Sequence, residues 1–201
     1  MTEDHRNAGE QEREVELILR IKSGDLMALE HLFKRYQRPL YQTALGITHD
    51  AELAEEIVQD CFYRLYRYAG RLDESLPLAP WLYRVLINLC YSRLKRRRFW
   101  SEPFHKLAGR LRAGPGSAPE HIVERREVHE LVRETLRELS AHHRAVLVLH
   151  YFQDYSVAEI AEILQCSEGT VKSRLHHARR LLKQRLSKEL DLFANAFSNQ
   201  F

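Results

Sequence analysis

Apolar residues return at three- and four-residue spacing along nearly the whole chain, the pattern of amphipathic helices packed on one face. Val15 to Ile47 reads as one or two helices, with Gly24-Asp25 and Pro39 as possible breaks. Asp50 to Ala69 reads as a long helix whose apolar set includes Leu53, Ile57, Val58, Cys61, Phe62 and Leu65. Gly70 to Pro80, GRLDESLPLAP, is a loop by its Gly, Asp, Ser and Pro content. Trp81 to Arg98 resumes as a helix that becomes steadily more basic. The period then lapses: Phe99, Trp100 and Phe104 are scattered, and AGPGSAP at 113–119 cannot hold a helix, so this stretch reads as an interdomain linker. From Ile122 the stripe returns through Val128, Leu131, Val132, Thr135, Leu136 and Leu139, and Ser140 is placed to cap AHHRAVLVLHYF. The pattern predicts an all-α fold of two small helical domains joined by a flexible linker. The expected divisions are a disordered N-terminus at 1–14, a first domain at 15–98, the linker at 99–121, a second domain at 122–188 and a tail at 189–201. There is no internal repeat.

Within the second domain, SVAEIAEILQCSEGTVKSRLHHARRLLKQR at 156–185 is the most informative stretch. Ser156 with Glu159 forms a capping box, so a helix starts there. Val157, Ile160, Ala161 and Leu164 keep one apolar face, a turn falls at Gln165-Cys166, and Ser167 can cap the next helix. That helix buries Val171, Leu175, Ala178 and Leu182 while presenting Lys172, Ser173, Arg174, His176, His177 and Arg179. A small apolar helix bracing a polar, cationic one is how a helix-turn-helix delivers side chains to the major groove. The blander alternative is a helical hairpin with a solvated basic face.

Composition sharpens this picture. The chain has 201 residues, 44% of them hydrophobic and 29% charged, which makes it globular rather than disordered. Its net charge of +3 conceals segregation. Residues 50–60 carry Asp50, Glu52, Glu55, Glu56 and Asp60 with no Lys or Arg, whereas RLKRRR at 93–98 is almost entirely cationic. Separated charge suggests two different partners, one tolerant of acid and one polyanionic. Cys61, Cys90 and Cys166 form neither a CxxC pair nor a disulfide framework and are expected to be reduced thiols. The N-terminal MTEDHRNAGEQEREVE lacks the apolar core of a signal peptide, and no apolar run approaches bilayer-spanning length, so a cytoplasmic protein without membrane insertion is expected.

Catalysis finds no support: GxGxxG, Walker, GxSxG and HExxH patterns are all missing, and no cofactor is implied. The pairs His142-His143 and His176-His177 do not make a metal site, because adjacent helical residues point about 100° apart. Nucleic-acid binding has three supports: the helix-turn-helix, the phosphate-neutralising density of Arg93 to Arg98, and the aromatics Trp81, Tyr83 and Tyr91 just before that run. Judged alone, the basic run could be a solvated helix end, and helically spaced aromatics are more often core. The acidic helix would be repelled by phosphate; it reads either as a solubilising surface or as a docking face for a basic helical partner.

Taken together, DAELAEEIVQDCFYRLYRY at 50–68, PWLYRVLINLCYSRLKRRR at 80–98 and LSAHHRAVLVLHYFQDYSVAEIAEILQCSEGTVKSRLHHARRLLKQRL at 139–186 resemble a bacterial RNA polymerase sigma factor of the sigma-70 family, extracytoplasmic-function group. The resemblance spans about Leu17 to Arg98 and Val123 to Leu186. It implies a non-enzymatic specificity subunit that binds core RNA polymerase, reads the −35 and −10 promoter elements and aids melting. By position, Glu56, Gln59 and Asp60 would contact the coiled coil on the largest polymerase subunit. The loop Gly70 to Pro80, with Trp81, Arg84 and Asn88, would hold the opened nontemplate strand of the −10 element, and Arg93, Lys95, Arg96, Arg97 and Arg98 would lie along phosphates. Lys172, Ser173, His176 and His177 would face the −35 element, with Thr170 and Arg174 near its backbone. An anti-sigma factor is the further partner implied. The sequence departs from the family at Ser140, where Pro is frequent, at Ser92, where Asp is common, and at His176 and His177, where an aromatic or Arg is frequent. The alternative is a stand-alone helix-turn-helix regulator binding duplex DNA, which would have no use for an acidic docking helix followed by a basic one.

Overall fold

A computed structural model of the protein describes residues 13–108 and 134–198, with side chains from 13 to 97 and from 134 to 185. The expected tether at 109–121 and the stripe from Ile122 to Val132 lie outside the described residues. Every regular element among the described residues is helical. The first, α1, runs through 13–22 and ends where Gly24 takes φ +91, a left-handed conformation that only glycine adopts without strain. Arg13 and Glu14, assigned by sequence to the disordered N-terminus, already belong to it. The gain is visible in Glu14, which finds partners deep in the fold.

Asp25 caps α2 (Leu26–Thr48), accepting from the Met27 and Ala28 amides. Pro39 does not break α2, contrary to the expectation for that position. A proline inside a helix forfeits one backbone bond, but Leu32, Leu40, Ala44 and Ile47 on the same helix are fully buried, and their packing outweighs that loss. Asp50 caps α3 (Ala51–Tyr68), and all six apolar residues expected to face inward there are buried. A 3-10 turn, Ala69–Arg71, leads through the loop to α4 (Leu78–Ala108). The helix outruns its expected end at Arg98 by ten residues, so 99–108 of the expected tether are helical.

A short helix α5 at 134–138 precedes α6 (Ala141–Tyr151), whose N-cap is Ser140 as its sequence position suggests. Helices α7 (Val157–Leu164) and α8 (Glu168–Ser198) complete the chain, and α8 absorbs residues 189–198 of the expected tail.

The two halves share one core. Helix α2 packs on α3 and α4 and also on α6, while α4 is covered by α6 and α7. A Cβ at Gly46 would lie 2.8 Å from Val148 Cγ2, so α2 and α6 meet where a side chain is missing. Beside that contact Arg144, only 8% exposed, donates from Nε to the Ile47 carbonyl at 2.7 Å and from Nη1 to the Leu139 carbonyl at 2.6 Å.

Candidate nucleic-acid and protein interfaces

The helix-turn-helix is built as its residue pattern dictates. Both arms of the capping box close, Ser156 Oγ accepting from the Glu159 amide and Glu159 accepting from the Ser156 amide. Helix α7 stops because Gln165 enters the left-handed region at φ 51, and the Cys166 amide folds back to the Ala161 carbonyl at 3.0 Å. Ser167 then caps α8 by accepting from the Thr170 amide at 3.2 Å. Val171, Leu175 and Ala178 are buried, which fixes the opposite face outward. Lys172, Ser173, His176 and His177 are exposed on it, Lys172 paired with Glu168 one turn back. Thr170 is half-buried, its hydroxyl 3.0 Å from that of Ser167, so it belongs to the cap as much as to the surface.

Arg174 is half-buried, and its charge acts on Tyr91 in the other half of the molecule and on His142 and His143 in its own. Tyr91 on α4 lies 4.2 Å, ring to ring, from His142 on α6, and His143 lies 4.6 Å from His177 on α8. Burial, reinforced by the charge of Arg174, holds His142 below the usual histidine range. His143 is held down by burial, then by His177 and Arg174.

On α4, Trp81 is half-buried and Asn88 exposed, its carbonyl taking the Ser92 hydroxyl at 2.8 Å. Arg84 is occupied. Its Nη2 donates to the Glu162 carbonyl at 2.9 Å and its Nε to the Ile163 carbonyl at 3.2 Å. Both carbonyls lie at the C-terminal end of α7, where partial negative charge collects, and that of Glu162 also accepts from the Gln165 amide at 3.3 Å. Tyr83 is buried rather than presented, donating from its hydroxyl to Gln153 Oε1 at 2.7 Å and packing edge-on to Tyr155. Two of the three aromatics preceding the basic run, Tyr83 and Tyr91, thus serve the contact between the halves.

The acidic and basic segments are also less separate than their sequences suggest. Arg93 pairs with Asp60 and Arg97 with Asp50, so α4 lays its cations along α3 and an open cleft forms between Glu52, Glu56, Arg93, Arg96 and Arg97. The Arg97 guanidinium, then the Leu53 amide, hold the Asp50 carboxyl below its ordinary range. Lys95 and Arg96 are exposed, and the side chain of Arg98 lies outside the described residues. Glu56 and Gln59 face solvent beside the half-buried Asp60. Gln59 borders a second groove with Phe33, Gln37, Arg38, Tyr41 and Val58.

Three residues with structural weight escape the sequence pattern: Glu14, Lys22 and Arg144. The only signal for Arg144 is a cation at the start of the apolar run AVLVL; Glu14 and Lys22 carry none, because their partners are 64 and 50 residues away. No group of His, Cys, Asp or Glu that could hold a metal occurs among the described residues, and none of their helices is long and apolar enough to cross a membrane.

Residues 32–99 match sigma-70 region 2, and residues 129–182 match sigma-70 region 4. The ECF RNA polymerase sigma factor SigM of Mycobacterium tuberculosis is 31% identical over 179 residues, 89% of this chain and 87% of that protein. The RNA polymerase sigma-H factor of Pseudomonas aeruginosa is 29% identical over 183 residues, 88% of this chain and 95% of that protein. In fold, the chain is similar to CnrH in complex with the cytosolic domain of CnrY, with a TM-score of 0.63 at 24% identity over 88% of this chain and 98% of that one. It is also similar to RpoE in complex with the anti-sigma factor NepR from Bartonella quintana, with a TM-score of 0.58 at 22% identity over 79% and 96%.

Proposed function

The chain belongs to the extracytoplasmic-function group of the sigma-70 family, and from that premise we propose that it binds core RNA polymerase and directs it to promoters, acting in the cytoplasm under the control of an anti-sigma factor. The observation that carries this reading is the order of parts on one chain: an acidic helix, then a loop and basic helix within the region 2 match, then a cationic helix-turn-helix within the region 4 match. Its work is binding, with no chemical step assigned to any side chain.

The division of labour is taken over residue by residue. Residues 15–98 form the domain that docks on polymerase and reads the −10 element, and 122–188 the domain that reads the −35 element. Glu56, Gln59 and Asp60 form the docking face toward the largest subunit. The stretch Gly70 to Pro80, expected as a loop throughout but with its ends in the 3-10 turn and in the first turn of α4, receives the opened nontemplate strand together with Trp81, Arg84 and Asn88; extruded bases lose stacking that a pocket must restore. Arg93 and Lys95 to Arg98 neutralise phosphates. Lys172, Ser173, His176 and His177 meet the −35 base edges, and Thr170 and Arg174 meet its backbone.

Geometry adds a requirement. The −35 and −10 labels lie roughly 25 base pairs apart, about 85 Å of duplex at 3.4 Å per base pair. Arg84 and the end of α7 are in hydrogen-bond contact. One chain in this arrangement cannot read both elements, so α6–α8 must leave α2 and α4 before a promoter is engaged, and Arg84 must release two carbonyls to reach DNA.

Affinity for purified core polymerase tests the proposal. Wild type should bind tightly, and Glu56→Lys with Asp60→Lys should weaken binding by ~100-fold, about 2.7 kcal/mol. Because Asp60 is shared with Arg93, Glu56→Lys alone is the cleaner arm. A folded wild type that fails to bind core would point instead to a stand-alone DNA regulator.

A further inference from the structure

The loop between the 3-10 turn and α4 is gripped at both ends by α1. At its start, Lys22 Nζ donates to the Leu72 carbonyl at 2.9 Å and pairs with Glu74. At its end, Glu14 Oε2 accepts from the Leu78 amide at 3.1 Å. Glu14 is 6% exposed, and its other oxygen takes the Tyr36 hydroxyl at 2.5 Å, with Arg35 Nη1 3.9 Å away.

The need for the second grip is written in α4 itself. Leu78 is its first residue, and the residue before it is Pro77, which has no side-chain acceptor with which to cap. Glu14 therefore does from 64 residues away what a Ser or Asp would do locally, and its charge suits a helix N-terminus. Between the two grips the loop closes on itself. The Ser75 amide and hydroxyl both donate to Asp73 Oδ1, and the Leu76 amide donates to the Asp73 carbonyl. Leu76 is left 62% exposed at the tip while Leu78 is buried. Docking of α1 does not depend on these polar groups, since Ile18 and Ile21 are already buried in the core. What Glu14 and Lys22 add is a fixed position for each end of one loop.

We infer that Glu14 and Lys22 are positioning residues for base discrimination at the −10 element, holding residues 72–78 in the shape that receives an extruded nucleotide. The inference rests on the reading of Gly70 to Pro80 as the strand-receiving loop. A loop pinned at both ends presents its tip at a defined depth. One released at either end samples several depths and loses discrimination before it loses affinity.

The test uses full-length protein assembled with core polymerase and a pool of forked duplexes randomised over both promoter elements, sequenced before and after selection by the holoenzyme. Glu14→Gln and Lys22→Met should each flatten the −10 base preferences by at least about fivefold, while −35 preferences and core affinity stay within about twofold of wild type. Lys22→Arg, which keeps a cation within reach of the Leu72 carbonyl, should restore the −10 preferences. Unchanged −10 preferences in both variants overturn the inference, as does flattening of both elements together, which would mark a general loss of fold. A Leu76→Gly arm separates the two levels of the argument. If it too leaves the −10 preferences intact, the loop reading falls and the inference with it. If it alone flattens them, only the positioning role of α1 falls.

Discussion

A guanidinium taken out of water must find acceptors, and Arg144 finds them in the carbonyls of Ile47, Leu139 and, at 3.5 Å, Arg137. Burial lowers its pKa, the direction expected of a cation taken out of water. Arg144→Met fills the volume but abandons those carbonyls, and should cost about 2–3 kcal/mol in urea unfolding. Arg144→Lys should recover only part, because a single ammonium cannot serve acceptors on both sides. On the DNA-facing side, Lys172→Ala with His177→Ala should impair promoter selection in run-off transcription and leave core binding intact; equal loss of both would sink the division of labour. Residue roles were legible where a small hydroxyl stood just before a helix: the caps at Ser140, Ser156 and Ser167 follow from a side chain three positions ahead of the amide it serves, whereas the caps Asp25 and Asp50, equally local, were not read. Arg144, Arg84 and Glu14 were not, because their acceptors or donors lie 97, 79 and 64 residues away. Periodicity contains no information about which distant backbone atom a long side chain will meet.

At the level of elements, the apolar stripe located α3, α6, α7 and the exposed face of α8, since burial of one face determines the other. It misjudged Pro39, where packing overrode a breaker, and the end of α4, where Phe99, Trp100 and Phe104 gave no period although the backbone stays helical. Charge blocks were legible too, but not their pairing: Asp60–Arg93 and Asp50–Arg97 turn two apparently independent faces into neighbours. The contact of α6 with α4 and α8 carries a pH dependence. Facing one another there are His142, His143, His177, Arg174 and Tyr91, with Arg180 3.5 Å from His177. His142 and His143 titrate below 6.5 when packed, so above that value both are neutral in packed and unfolded chains alike, and the contact keeps its full stability. As pH falls through about 6.5 the unfolded chain takes up protons more readily, and stability is lost. The urea midpoint should therefore drop between pH 7.5 and 5.5, and drop less in a His142→Gln, His143→Gln variant. His49, held down by its own burial beside Arg144, supplies the part of the drop that this variant retains.

Across the whole molecule, a chain whose sequence divides into two domains folds here around one shared core, and nothing in the local pattern reveals that. Tyr83, Tyr91 and Val148 read equally well as the interior of one domain or as the seam between two. Gly46 gives the seam a handle. Its ideal Cβ lies 3.9 Å from Val148 Cβ, inside the range that a disulfide spans. Gly46→Cys with Val148→Cys, in a Cys166→Ser background, should cross-link on oxidation, since Cys61 and Cys90 are buried with thiols pushed up to about 12 and take no part. Promoter-directed transcription should fall by at least ~100-fold when oxidised and return with dithiothreitol; full activity of the oxidised protein would show that the seam need not part. The grip of Arg84 on α7 then has a thermodynamic consequence. A polymerase that accepts only the parted form sees its affinity multiplied by the fraction of chains that are parted, so a seam open one time in ten weakens apparent binding ~10-fold, about 1.4 kcal/mol. Arg84→Ala, which frees the end of α7 without touching the docking face, should raise the apparent affinity for core even as it weakens the grip on the −10 strand. The same arginine would then set both how many molecules are competent at any moment and how well each one holds DNA.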